Sequence, residues 1–243
     1  MKITNQLAML EISANVLGNP SVVYPTLLWD DQTMILVDTG FPGQLPLFQA
    51  AITGLGLEFA RLNQVIITHQ DIDHIGSLPA LVAALPEPPE VLAHENEKPY
   101  IQGDQRLIKF SAERLATLPE EQRQRMRQVA ANLPKAKVTR TVSDGEFLHW
   151  GGGITVIHTP GHTPGHLCLY LHVSKTLVTG DALNVVDQQL IGAIPHYTQD
   201  IEQAAASLRK LAQYDIENVI SYHGGLYRGN VNARIAELAE GTV

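Results

Sequence analysis

Two β-sheets packed face to face with helices on their outer surfaces, a four-layer αββα sandwich of the α+β class, is the fold this sequence predicts. Three observations carry it. Short β-rich runs bounded by turn residues are followed by helical patterns, and that order occurs once in each half of the chain. The 243 residues, 44% hydrophobic and 17% charged, can bury a substantial core, and one domain is expected over 1–243. Finally, the residues able to bind metal fall just beyond predicted strands, where loops can turn them toward one point.

In chain order, Leu7 to Val16 and Ser21 to Trp29 read as strands. Asp30-Asp31-Gln32-Thr33 reads as a turn into the apolar run Met34 to Val37. Leu45 to Leu55 has helical spacing, Gln64 to Thr68 is a short buried-type strand, and Ser77 to Leu85 is a helix stopped by Pro86, Pro88 and Pro89. Glu90 to Ala93 is the next strand. From about 95 to 135 the chain turns polar and helical, which reads as an insertion. Thr117-Leu118-Pro119-Glu120 has the form of a capping box, and Met126, Val129, Ala130 and Leu133 make an apolar stripe too narrow for a core helix. This segment is expected to lie over the surface, as decoration, substrate lid or homodimer contact, without touching metal binding. Strands return at Val138 to Val142, Phe147 to Trp150 and Ile154 to His158, then as a hairpin of Leu167 to His172 and Thr176 to Thr179 around Ser174-Lys175. Ile201 to Tyr214 is an amphipathic helix, Val219 to Tyr222 a strand and Val231 to Leu238 a closing helix.

Composition narrows the function. A formal charge of −8 argues against a general nucleic-acid or anionic-membrane binder, since both need clustered Lys and Arg. Cys168 alone can form no intramolecular disulfide and no cysteine-based zinc finger, which suits a cytoplasmic location. Met1 to Leu17 lacks the continuous apolar stretch of a signal peptide, and no run is long enough to span a bilayer. A small-molecule substrate is the expected partner.

The chemistry begins at His69-Gln70-Asp71-Ile72-Asp73-His74, four potential ligands in six residues at a strand end. Carboxylates crowded beside imidazoles in this way repel one another unless a positive charge sits between them. Thr159-Pro160-Gly161-His162-Thr163-Pro164-Gly165-His166, Thr179-Gly180-Asp181 and Ser221-Tyr222-His223-Gly224 follow, each after a predicted strand, with Asp38-Thr39-Gly40 upstream. In this order they resemble the metallo-β-lactamase superfamily over nearly the whole chain. The resemblance implies that His69 and His162 bind a first metal, that Asp73, His74 and His223 bind a second, and that Asp181 bridges the two. It makes Asp38 a residue that steadies the ligand loops, although a plain strand-ending turn is an equal reading. It also implies two divalent ions, zinc first and manganese or iron as alternatives, acting through an activated water, with Asp73 and Asp181 as the catalytic carboxylates.

Asp71 departs from the family's usual H-x-H-x-D-H. An aspartate oxygen has the same reach as the family's second histidine through Nδ1, so Asp71 is expected to ligate the first metal; the competing reading is a lost ligand and a single ion. His166 is expected to be a hydrogen-bonding support, and Cys168 a buried apolar residue. His196 and Tyr197 lie on a loop expected to pass near the metals and contact substrate. The leading function is hydrolysis of an ester, lactone or thioester. Alternatives on the same fold are an iron-dependent dioxygenase, a phosphodiester hydrolase, and a binding protein without turnover.

Overall fold

The computed structural model describes residues 1–16 and 19–241. Leu17, which ends the N-terminal stretch read above, and Gly18, Thr242 and Val243 lie outside the described residues. The first half supplies β1 (Lys2–Thr4), β2 (Leu7–Met9), β3 (Ile12–Val16), β4 (Asn19–Val23), β5 (Thr26–Trp29), β6 (Met34–Val37), α1 (Leu45–Gly54), β7 (Gln64–Ile66), α2 (Ile72–Ile75), α3 (Leu78–Ala84) and β8 (Glu90–His94). After α4 (Lys98–Ile101), α5 (Ala112–Ala116) and α6 (Glu120–Ala130), β9 (Arg140–Val142) closes a seven-stranded sheet ordered β1-β2-β5-β6-β7-β8-β9. The second half supplies β10 (Phe147–Leu148), β11 (Ile154–His158), β12 (Leu167–Leu171), β13 (Thr176–Val178), β14 (Asn184–Val186), β15 (Gln189–Ile191), α7 (Ile201–Leu211), β16 (Asn218–Ser221), β17 (Gly225–Arg228) and α8 (Val231–Glu240). Its six-stranded sheet runs β10-β11-β12-β13-β16-β17, and β14 pairs with β15 apart from it.

Alternation along the strands makes the layers. In β6, Ile35 and Val37 face the second sheet while Met34 and Leu36 face α1 and α3, packing with Phe48, Ile52, Leu78 and Leu81. In β12, Leu167, Leu169 and Leu171 face the first sheet, and Cys168 and Tyr170 face outward to the cluster that holds Leu208 and Leu211 of α7 and Ile235 of α8. Three apolar layers therefore separate four layers of structure, the αββα sandwich expected, and both large sheets mix parallel and antiparallel pairs.

Three local expectations are corrected. Leu7–Val16 and Ser21–Trp29 each break in two, because Pro25 has no N–H to continue the ladder; β3 and β4 leave the sheet as a separate antiparallel hairpin. The capping box does not form. Thr117 Oγ1 instead donates to Arg114 O at 2.8 Å to close α5, and Pro119 stands at the N-cap of α6. The segment 95–135 is not merely superficial: Ile101, Leu107 and Phe110 are buried in the core, while the stripe on α6 packs only partly buried against it. Among the described residues no helix is long and apolar enough to cross a membrane.

Candidate metal centre

β6 and β7 run parallel, as do β13 and β16, and β11 shares the direction of β13 through the antiparallel β12 between them. The loops after these strands carry Asp38, His69 to His74, Asp181, His223 and His162 respectively, so the topology delivers all the expected ligands to one rim of the sandwich. Two glycines permit the approach. Gly161 has φ +134°, and a Cβ there would lie 2.2 Å from Ala204 N; Gly224 has φ +103°, and its Cβ would lie 1.9 Å from Val185 O.

The side chains form two ligand groups. His69, Asp71, His162 and Asp181 converge in one, and Asp73, His74 and His223 in the other. In the first, Asp71 Oδ2 is 3.1 Å from His69 Nε2 and 2.9 Å from His162 Nε2. Asp181 spans the groups: Oδ2 is 3.4 Å from His162 Nε2, and Oδ1 is 3.2 Å from His74 Nε2 and 3.4 Å from His223 Nε2. His223 Nε2 also lies 3.3 Å from Asp73 Oδ2.

Backing residues set the imidazole tautomers. Asp38 holds φ +64°, a left-handed conformation costly for a residue with a side chain, and from there Oδ2 accepts from Thr68 Oγ1 and His74 Nδ1, both at 2.8 Å. Oδ1 accepts from Thr68 N at 2.8 Å. With its hydrogen given to Asp38, Thr68 Oγ1 accepts from His69 Nδ1 at 3.0 Å. Thr198 Oγ1 donates to Ile194 O and faces His162 Nδ1 at 3.5 Å. The rings of His69, His74 and His162 thus have an Nδ1 partner behind them and turn Nε2 inward. Behind Asp181, His166 Nε2 accepts from the Asp181 N–H at 3.0 Å, and Nδ1 donates to Thr159 Oγ1 at 2.9 Å. Tyr222 stacks on His74 at 3.8 Å, and its hydroxyl accepts from Gly40 N and donates to Asp73 O.

Burial and mutual proximity move these groups away from their ordinary protonation behaviour. Burial, reinforced by His74, drops His69 to about 4, which keeps that ring neutral. Burial also works against protonation of His223, yet Asp181 and Asp73 outweigh it and lift that ring to about 10. Burial would raise Asp71 and Asp181, but neighbouring cationic groups hold both well below the usual carboxylate range, Lys109 foremost at Asp71 and His223 at Asp181. His74 Nε2 and Asp181 Oδ1 are buried without a hydrogen-bonding partner although 3.2 Å apart. A divalent ion fits that donor set.

Two residues absent from the sequence reading complete the site. Lys109, in the 3₁₀ turn Ile108–Phe110, contacts Asp71 Oδ2 and lies 3.4 Å from His162 Nε2. Glu97 is fully buried and accepts from Gln70 N and Nε2 through Oε2 and from Gly165 N through Oε1, which ties two ligand loops together. Gln70 Oε1 in turn accepts from Ile108 N at 2.8 Å. The segment 95–135 therefore touches the ligand groups, against the expectation. Its polar sequence gives no signal of this beyond the glutamine set between two ligands.

Tyr197 is 54% exposed, and Lys109 Nζ lies 5.4 Å from its ring centroid. His196 O accepts from Arg114 at 2.8 Å, and both aromatic residues border a cavity with Lys109 and Met126, not the ligand groups themselves. A larger cavity of about 530 Å³ opens on Asp71 and Asp73 and is walled by Phe41, Pro42, Ile72, Leu107, Phe110, Met126 and Val129. Cys168 is buried on the outward face of β12, its thiol pushed up to about 12 by burial.

An αββα sandwich with two adjoining His/Asp groups that could each hold a metal ion is the arrangement of a metal-binding fold. The chain belongs to the metallo-beta-lactamase superfamily, whose sequence profile matches residues 18–223. It is similar to the probable metallo-hydrolase YflN of Bacillus subtilis (27% identical, covering 90% of this chain and 86% of that protein). It is also similar to the hydroxyacylglutathione hydrolase GloC of Haemophilus influenzae (30% identical, covering 82% and 84%). A metallo-beta-lactamase family protein from Thermus thermophilus shares the fold, with a TM-score of 0.75 at 24% identity over 99% of this chain and 80% of that one. Family and relatives together support a metallo-hydrolase.

Proposed function

We propose that this chain hydrolyses an ester, lactone or thioester with an apolar acyl group, using divalent metal held by the residues around Asp181. The observation that carries the reading is the adjacency of the ligand groups and the cavity: Asp71 and Asp73 line it together with Lys109 and Arg125, and most of its remaining wall is apolar. The similarity to a hydroxyacylglutathione hydrolase favours a thioester among the three. Asp73, His74, His223 and Asp181 would hold the ion, with His69, Asp71 and His162 as the second set of candidate ligands. An ion held by these residues would supply Lewis-acid chemistry, making water a better nucleophile and polarising a carbonyl oxygen.

The chain's own residues do the rest. Asp73 and Asp181, both held ionised, would orient the attacking water through their carboxylate oxygens. Asp38 and Thr68 keep the imidazoles in the lone-pair-inward tautomer, and Phe41, Ile72 and Met126 exclude water from the acyl chain. His196 and Tyr197, beside Lys109 and Met126, would meet the leaving group. Zinc is the first choice for a histidine-rich set, with manganese or iron as alternatives.

The test is hydrolysis of acyl thioesters, esters and lactones of graded chain length by protein stripped with chelator and reloaded with zinc, manganese or iron. Activity lost on stripping, restored by zinc or manganese and rising with acyl length is expected. Iron-dependent oxygen consumption instead would support the dioxygenase alternative, and unchanged activity after complete stripping would remove metal from the reaction.

A further inference from the structure

The two ligand groups differ in what they already contain. Beside the group of Asp73, His74 and His223, the buried atoms His74 Nε2 and Asp181 Oδ1 lie 3.2 Å apart and neither has a hydrogen-bond partner. The other group holds a cation of its own. Lys109 contacts Asp71 Oδ2 and stands 3.4 Å from His162 Nε2, two of the four atoms that would coordinate an ion there.

We propose that the Lys109 ammonium is the resident cation of the group formed by His69, Asp71 and His162, so that the chain takes one divalent ion, at Asp73, His74, His223 and Asp181. The inference rests on the metal-dependent reading above and refines it. Local charge agrees with it: the Lys109 ammonium neutralises the buried Asp71 carboxylate that it contacts. Placement agrees as well. Lys109 stands between Ile108, whose N–H is bound by Gln70 of the ligand loop, and Phe110, which is buried in the core with nearby Leu107. The backbone is anchored on both sides there, and the half-buried Lys109 side chain reaches from that anchor to Asp71.

The departure at Asp71 then has a reason. An aspartate binds an ammonium in a charge-assisted hydrogen bond, which a neutral histidine at the same position would not match. Asp71 and Lys109 act as a pair, supplied by two separate parts of the chain.

Full-length wild-type protein and the variants Lys109→Met, Lys109→Gln and Lys109→Arg are stripped with chelator, reloaded with excess Mn²⁺ and freed of unbound metal. Ions per chain are counted by elemental analysis, and electron paramagnetic resonance reads whether the Mn²⁺ is isolated or exchange-coupled. Circular dichroism checks that each variant is folded, and either neutral variant suffices. The expected result is one isolated ion in wild type and Lys109→Arg, and two coupled ions in Lys109→Met or Lys109→Gln. Two ions in wild-type protein that still hydrolyses its substrate would overturn the role of Lys109 and leave the hydrolase reading standing. One ion in both folded neutral variants would overturn it too. No ion in any form, with hydrolysis undiminished, would overturn the metal-dependent reading and this inference with it.

Discussion

Asp181 gives one carboxylate oxygen to each ligand group, whereas Asp71 touches only one group. Asp181→Ala should therefore depress kcat/KM well beyond Asp71→Ala, and equal losses in steady-state kinetics would contradict the assignment. Asp38 acts one step back, through His74 and Thr68, and removal of such a backing carboxylate typically costs about 10–100-fold in metal affinity. Asp38→Asn should fall in that range by calorimetric titration with zinc. Titration of the metal-free protein is a separate test. His69, lowered to about 4, contributes stability that is complete above about pH 6.5 and lost as pH falls toward 4, because the unfolded chain takes up the proton first. His223, raised to about 10, contributes stability that is complete below about 6.5 and lost as pH rises toward 10. Thermal melts of the stripped protein should peak between these limits, and added metal should raise Tm more at pH 9 than at pH 6. Most of these residues could be read from the sequence, since four candidate ligands within six residues have no comparable packing explanation. Lys109 and Glu97 could not. A lysine and a glutamate in a polar segment look like solvated surface until the fold carries them across to Asp71 and Gln70.

Elements were legible where hydrophobic pattern and turn chemistry agreed. Met34–Val37 and Leu167–Leu171 are buried strands, and the Asp30 turn closes as its sequence suggests, with Oδ1 accepting from Gln32 N and Thr33 N. Boundaries were lost where a tertiary demand overrode the pattern: Pro25 interrupted the ladder between two predicted strands and split both, and Thr117 was drawn into ending α5 instead of starting α6. The helix α6 is where an element-level prediction belongs. Met126 and Val129 form one wall of the cavity, so enlarging Met126 shortens it without reaching a ligand. Met126→Trp should reduce turnover of long acyl substrates relative to short ones and leave ions per chain unchanged. An equal effect across chain lengths would show that the acyl group lies elsewhere.

At the scale of the molecule, the cluster between the sheets joins strands from both halves of the chain. Leu169, buried in that layer, should cost about 2–5 kcal/mol when cut back to Ala. If the two halves fold as one domain, the denaturant transition should remain a single step in that variant, and two separated transitions would argue for independent halves. The rim has a mechanical consequence as well. His74 belongs to the first sheet's loops and His223 to the second's, and they are far apart along the chain. An ion shared by them is a removable rivet through both leaves of the sandwich, closing a long loop that the unfolded chain would otherwise explore freely. The protein should then be hardest to pry open when loaded. Its lifetime against a protease would be set by how firmly that rivet is held as much as by the breadth of the apolar seam beneath it.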